Sequence, residues 1–187
     1  MSFDLPPHIL FRPAHPRDIK GIEIIENESF ADGVRESPDV FEGRIKAFRD
    51  GFLVAEDVDT GALGAYICSE LQDGTAPVNA ETLKIGHLPD GAHKSGGDRL
   101  YISSFAVKTA WRGHKIGAAL FQALEKRILD RCPAVRTALL VVSEKQTRAR
   151  ELYEKNGYAE TTRLPAFFTP AGEPAEDGVA MVKTLKA

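Results

Sequence analysis

Ile116, Leu120, Leu124 and Ile128 recur every four residues between two apolar runs, Leu100–Val107 and Thr137–Val142. Apolar residues at that spacing share one face of a helix, so His114–Arg131 reads as a strong amphipathic helix. The flanking runs read as strands, the second short enough to be buried on both sides. Ala149, Leu152 and Tyr153 mark another helix, which Gly157 closes, and Tyr158–Leu164 and Val179–Leu185 read as further strands. Strand, helix, strand, helix, strand in succession argues an α/β sheet with at least one parallel pair.

The first half supplies the rest. Ile9–Phe11 reads as a short strand. Pro16 opens a helix carrying Ile19, Ile22 and Ile25, and Gly33 breaks that pattern. Ser37-Pro38-Asp39 starts a second helix, with Phe41, Ile45 and Phe48 on one face. Phe52–Ala55 and Leu63–Cys68 read as strands joined by the turn Asp59-Thr60-Gly61. Two stretches, Gln72–Asp98 and Pro165–Gly178, read as loops, the first long enough to be functional or disordered.

A chain of 187 residues with 43% hydrophobic and 27% charged side chains fits one domain, taken as residues 1–187. No run approaches the ~18 apolar residues of a spanning helix, so no membrane role is expected. The opening MSFDLPPHIL has neither a basic nor an apolar leader region, which argues a cytoplasmic protein. A net charge of −3 disfavours nucleic acid and suits a cationic small substrate. Cys68 and Cys132 lack partners at metal-ligand spacing and read as reduced structural thiols, so no metal is expected.

The chemistry concentrates after the Leu100–Val107 strand. Trp111-Arg112-Gly113-His114-Lys115-Ile116-Gly117-Ala118-Ala119 is a short, donor-rich turn that runs straight into a helix. A helix N-terminus presents unpaired N–H groups and partial positive charge, which suits phosphate. Gly117, Ala118 and Ala119 let a bulky diphosphate approach the backbone, and Arg112, His114 and Lys115 add charge. The alternative is a tight turn whose glycines serve packing alone.

Arg112-x-x-Lys115-x-Gly117-Ala118, following a strand that ends Phe105-Ala106-Val107, resembles the acyl-CoA pyrophosphate loop of the GNAT superfamily of N-acetyltransferases, Arg/Gln-x-x-Gly-x-Gly/Ala. Gln146-x-x-Ala149-x-x-Leu152-Tyr153-x-x-x-Gly157-Tyr158 resembles that family's second signature, Asn-x-x-Ala-x-x-Leu-Tyr-x-x-x-Gly-Phe. Within the superfamily the chain resembles the serotonin (arylalkylamine) N-acetyltransferase branch. That likeness rests on Arg12-Pro13, Glu23-x-x-Glu26-x-Glu28-Ser29-Phe30, Ser37-Pro38, Glu81-Thr82-Leu83, Ser95-Gly96-Gly97 and Ala106-Val107-x-x-x-Trp111-Arg112.

The resemblance implies a single α/β (α+β) domain. A mixed twisted sheet of about seven strands would be flanked by about four helices and splayed between its two central parallel strands. It implies acetyl-CoA as co-substrate, a small-molecule primary amine (arylalkylamine or polyamine) as acceptor, direct attack in a ternary complex, and a monomer or homodimer. The cofactor would be held by Phe105, Ala106, Val107, Arg112, Gly113, His114, Lys115, Ile116, Gly117, Ala118, Gln146, Ala149 and Tyr153. A protein or peptide acceptor, or a non-catalytic acyl-CoA sensor, are the alternatives.

Three departures stand out. Lys115 replaces the loop's first glycine, at a cost of about 1 kcal/mol if the position needs positive φ. Gln146 replaces asparagine. Tyr101 and Ser103 stand where arylalkylamine enzymes carry two relay histidines.

Tyr153 is the expected general acid for the leaving thiolate. Strand alternation puts Tyr101, Ser103 and Phe105 on one face, where Tyr101 or Ser103 would order a relay water. Glu28 and Glu70 are the candidate carboxylate bases, with His87 and His93 behind them. Glu28, Phe30, Pro38, Phe167 and Phe168 are the candidate acceptor contacts, under a roof rich in acids between Glu23 and Glu42.

Overall fold

The computed structural model describes residues 6–186, so half of the opening segment read for a leader lies outside the described residues. The strands are β1 (Ile9–Pro13), β2 (Phe52–Asp57), β3 (Leu63–Gln72), β4 (Arg99–Val107), β5 (Thr137–Ser143), β6 (Ala159–Phe168) and β7 (Glu176–Thr184). The α-helices are α1 (Ile19–Ser29), α2 (Pro38–Ala47), α3 (Ile116–Arg131) and α4 (Thr147–Lys155). The strands make one sheet in the order β1-β2-β3-β4-β5-β7-β6. Every neighbouring pair is antiparallel except β4 and β5, which the α3 crossover makes parallel.

Alternation along the strands divides the core in two. Leu53, Ala55, Ile67, Leu100 and Ile102 face Leu120, Phe121, Leu124 and Ile128 of α3. Phe52, Val54, Tyr66 and Cys68 face Ile22 and Ile25 of α1 and Phe41 and Ile45 of α2. Each such fully buried large apolar side chain contributes about 1.5–3 kcal/mol. The stripe that identified α3 is therefore the stripe that holds it to the sheet.

Three boundaries differ from the sequence reading. Helix α3 begins at Ile116 rather than His114, because Lys115 is left-handed at φ 60° and ψ 5° and ends the preceding turn. Strand β6 continues through Pro165 to Phe168, so Phe167 and Phe168 belong to a strand, and the loop shrinks to residues 169–175. Proline is tolerated there because β6 is an edge strand, and the register breaks between Leu164 and Phe168, where Ala166 takes φ 52°. Residues 73–98 hold no helix or strand, yet they are tied down. Asn79 accepts the Glu81 and Thr82 amides, Arg99 donates to the Gly74 and Ala76 carbonyls, and Leu83 is buried.

Two irregularities coincide in the middle of β4. Against β5 the strand pairs only from Arg99 opposite Thr137 to Ile102 opposite Leu140, although both strands continue. Against β3 the register jumps: Ser69 stands opposite Ile102 and Cys68 opposite Ser104, leaving Ser103 as an extra bulged residue. The sheet opens on one side of β4 where it kinks on the other.

Candidate active site

The opening in the sheet is a cavity of about 200 Å³. From the α1 side it is lined by Glu26, Ser29, Phe30 and Val34. Its walls are Ser103, Ser104 and Phe105 of β4 and Leu140–Ser143 of β5. Gln146 and Tyr153 come from α4, and Phe168, Pro170, Glu173 and Glu176 from the β6–β7 connection. Tyr153 belongs to the α3-side core and packs on Phe121 at 5.3 Å between ring centroids. The cavity thus joins the two faces of the sheet, with a carboxylate at one end and a phenol at the other.

Its roof is closed by two connections in direct contact. The Ala171 amide donates to the Asp32 carbonyl at 2.7 Å. Gly33 sits beside that bond at φ 86°, and a Cβ there would stand 2.5 Å from the Thr169 carbonyl oxygen. The position needs glycine for both space and conformation.

Glu26 controls the electrostatics. It is 1% exposed. Its carboxylate accepts the Glu36 amide at 2.8 Å and the Tyr66 hydroxyl. Burial pushes its pKa up to about 7, and the two hydrogen bonds and the Arg44 cation hold it from rising further. Arg44 is itself buried, paired with Glu36 at 2.8 Å. The cavity lining includes four carboxylates, Glu26, Glu36, Glu173 and Glu176, and no basic side chain among the described residues.

Tyr153 differs. Burial alone raises its pKa well above the ordinary phenol value, and its hydroxyl has no hydrogen-bond partner among the described residues. It stays protonated at neutral pH and free to donate.

The β4–α3 turn lies beside this cavity. Gly113 and Lys115 both take positive φ, at 84° and 60°. The first amide of α3 to bond back is Ala119, to Lys115 at 3.0 Å, so Ile116, Gly117 and Ala118 present unpaired N–H groups. Arg112, His114 and Lys115 are exposed around them. A Cβ on Gly117 would stand 3.0 Å from the Phe105 ring, so glycine here lets α3 sit close to the splayed end of β4. The left-handed lysine costs ~1–2 kcal/mol relative to glycine.

Six of the side chains singled out from sequence line the cavity: Phe30, Ser103, Phe105, Gln146, Tyr153 and Phe168. Others do not. Tyr101 and Phe105 were expected on one face, but the bulge at Ser103 inverts the alternation. Tyr101 is buried away from the cavity and donates to the Leu83 carbonyl at 3.0 Å. Ser103 Oγ contacts Cys68 Sγ at 3.5 Å. Glu28 is exposed on the far side of α1 and accepts the Thr109 amide at 2.7 Å, bracing the β4–α3 turn. Pro38 is exposed at the first turn of α2. Phe167 packs against Phe168 at 4.9 Å, outside the lining. Glu70 and His87 form a buried pair at 3.0 Å, and His93 accepts the Leu71 amide at 3.2 Å. Both histidines fasten the 73–98 segment to β3.

Glu26, Tyr66 and Ser104 were not singled out as site residues from the sequence. For Glu26 a signal existed: it stands four residues after Ile22 and seven after Ile19, on the buried stripe of α1. An acid on an apolar stripe is a group held for a purpose more often than one of the wet acids around it.

Among the described residues no helix is long and apolar enough to cross a membrane, and no group of three or more His, Cys, Asp or Glu could hold a metal ion. Residues 20–158 match the family model for acetyltransferases of the GNAT family. No curated protein matches the chain. Among solved structures, the loading GNATL domain of CurA from Lyngbya majuscula aligns with a TM-score of 0.79 at 11% identity, covering 95% of this chain and 98% of that one. The GphF GNAT-like decarboxylase in complex with isobutyryl-CoA aligns at 0.76 and 16% identity, covering 95% and 100%. The ribosomal-protein-S18-alanine N-acetyltransferase from Escherichia coli aligns at 0.67 and 18% identity, covering 96% and 95%. These identities speak to the fold alone, whereas the family match spans most of the chain: the protein belongs to the GNAT acetyltransferase family.

Proposed function

We propose that the chain is an acetyl-CoA-dependent N-acetyltransferase that acetylates the primary amine of a small molecule by direct attack in a ternary complex. The observation that carries this reading is the cavity through the splayed sheet, with Glu26 at one end and Tyr153 at the other. On this reading acetyl-CoA lies along the α3–α4 side. The unpaired amides of Ile116, Gly117 and Ala118 suit its diphosphate, with Arg112, Gly113, His114 and Lys115 around it. Beyond Ile102 and Leu140 the β4 and β5 backbones no longer pair, so Phe105, Ala106 and Val107 can hold an extended arm as a strand would, with Gln146 and Ala149 opposite.

The amine enters from the α1 side. A primary alkylamine has a pKa near that of lysine, about 10.4, and arrives as an ammonium. An acid-lined cavity favours its entry. Glu26, half ionised near pH 7, is the proton acceptor, and the neutral amine attacks the thioester. Backbone N–H groups of the splayed β4 stabilise the tetrahedral oxyanion. Tyr153 donates its proton to the departing thiolate, a role its raised pKa and free hydroxyl support.

The closed roof favours a small acceptor over a peptide. The Asp32–Ala171 hydrogen bond ties the two roof connections together. Phe30 and Phe168 supply aromatic wall, in keeping with the likeness to the arylalkylamine branch, while Glu26 and Glu173 suit a polyamine.

The test is thiol release from acetyl-CoA with tryptamine, phenethylamine, spermidine and a lysine peptide. Turnover with an arylalkylamine or the polyamine is expected. Turnover with the peptide alone would favour a protein acceptor. Binding of acetyl-CoA with no turnover, unaltered in Tyr153→Phe, would favour an acyl-CoA sensor.

A further inference from the structure

Glu26 is almost sealed from the cavity, and both of its oxygens are already engaged, by the Glu36 amide and the Tyr66 hydroxyl. Ser104 is half-buried and lines the cavity, and its Oγ lies 2.7 Å from the Tyr66 oxygen. The bulge at Ser103 makes this possible. It turns Ser104 toward α1, so that the β4 hydroxyl and the α1 carboxylate meet on the same phenol. Tyr66 cannot swing away. It is fully buried, and the Phe41 and Phe52 rings pack against it at 5.3 and 6.2 Å.

We propose that Ser104, Tyr66 and Glu26 form the proton path of the reaction: an ammonium in the cavity meets Ser104, and its proton reaches Glu26 through Tyr66. The inference rests on the acetyl-transfer reading above and names the route within it. The ammonium N–H proton passes to Ser104 Oγ, the Ser104 proton to the Tyr66 oxygen, and the Tyr66 proton to Glu26. Both hydroxyls finish neutral, the carboxylate becomes a carboxylic acid, and the amine keeps the electron pair that attacks the thioester. Ser104 touches the substrate; Tyr66 is a positioning residue. The charged and titratable groups facing the path are Glu36 beside Glu26, Arg44 from α2, and Cys68 next to Tyr66 on β3.

Three variants test it, with kcat, KM and the pH profile of kcat/KM measured on the best amine. Ser104→Ala should lower kcat at least ~10-fold. It should leave the KM for acetyl-CoA and the position of the pH limb unchanged, and Ser104→Thr should restore most of the rate. Tyr66→Phe removes a hydrogen bond to the carboxylate form. It should move the pH limb up by about one unit, together with the Glu26 carboxyl titration followed by carbon-13 NMR. Because the proton passes through the Tyr66 hydroxyl, Tyr66→Phe should also lower kcat at least ~10-fold, whereas a tyrosine that only hydrogen-bonds Glu26 would shift the limb and leave the maximal rate unchanged. Wild-type kcat in Ser104→Ala or in Tyr66→Phe would overturn the path alone. A wild-type protein silent with every amine would overturn the acetyl-transfer reading and the path with it.

Discussion

The two ends of the cavity are both buried ionisable groups, and their surroundings push them toward opposite duties. Glu26 has every oxygen occupied, by a backbone amide and a phenol, with the Arg44–Glu36 pair behind it. Burial and the neighbouring Glu36 charge raise its pKa, and the two hydrogen bonds and the Arg44 cation stop the rise near neutrality. Tyr153 has burial alone and remains an acid that never ionises at working pH. A base near 7 needs a countering network, whereas a permanent acid needs only dry surroundings. Each side of the sheet has a buried polar group with partners of its own, Glu26 with Tyr66 and the Glu36 amide on the α1 side and Glu125 with Tyr158 and Lys183 on the α3 side, but Tyr153 shares in neither.

The largest effect should come from removing the base. Glu26→Gln is expected to lower kcat/KM by roughly 10²–10⁴. It also has a signature that needs no substrate. Because the folded-state pKa lies above the ordinary 4.5, folding binds a proton between pH 4.5 and about 7, and wild-type stability falls as pH rises through that window. Urea titrations at several pH values should show the variant gaining on wild type from pH 4.5 to 7. Next comes the network. Arg44→Met strands Glu36 in the core and should cost ~3–5 kcal/mol in urea titration. It also removes a cation that favours the Glu26 carboxylate, so the pH limb should move up.

Smaller changes follow on the other face. Tyr153→Phe should lower kcat ~10–100-fold with little change in acetyl-CoA binding by calorimetry. Lys115→Gly relieves a left-handed lysine and should raise stability by ~1 kcal/mol, a few degrees in Tm. If Lys115 also contacts phosphate, the KM for acetyl-CoA should rise at the same time.

Legibility followed the range of the interactions. The α3 stripe, the Gly157 stop and the strand–helix–strand order are local patterns, and they came through. Tyr153, singled out from a local motif, stands on the cavity lining. The bulge at Ser103 is set by the register of β3 against β4, which no residue of β4 announces. That one inserted residue puts Phe105 on the opposite face from Tyr101 and turns Ser104 toward the cavity lining. Lys115 is left-handed although nothing in a lysine favours that region, because the turn geometry and the α3 start demand it. Glu26 was legible in principle from its place on the Ile19–Ile22–Ile25 stripe. It was hidden among acids that are surface residues, Glu28 included.

The most direct measurement is the pH dependence of kcat/KM for the wild type and Glu26→Gln, with one accepted amine. A wild-type limb that rises through about pH 7 and disappears in a slow, pH-flat Glu26→Gln is the expected result. A Glu26→Gln enzyme that keeps both the wild-type rate and the wild-type limb would contradict the assignment of the base to α1.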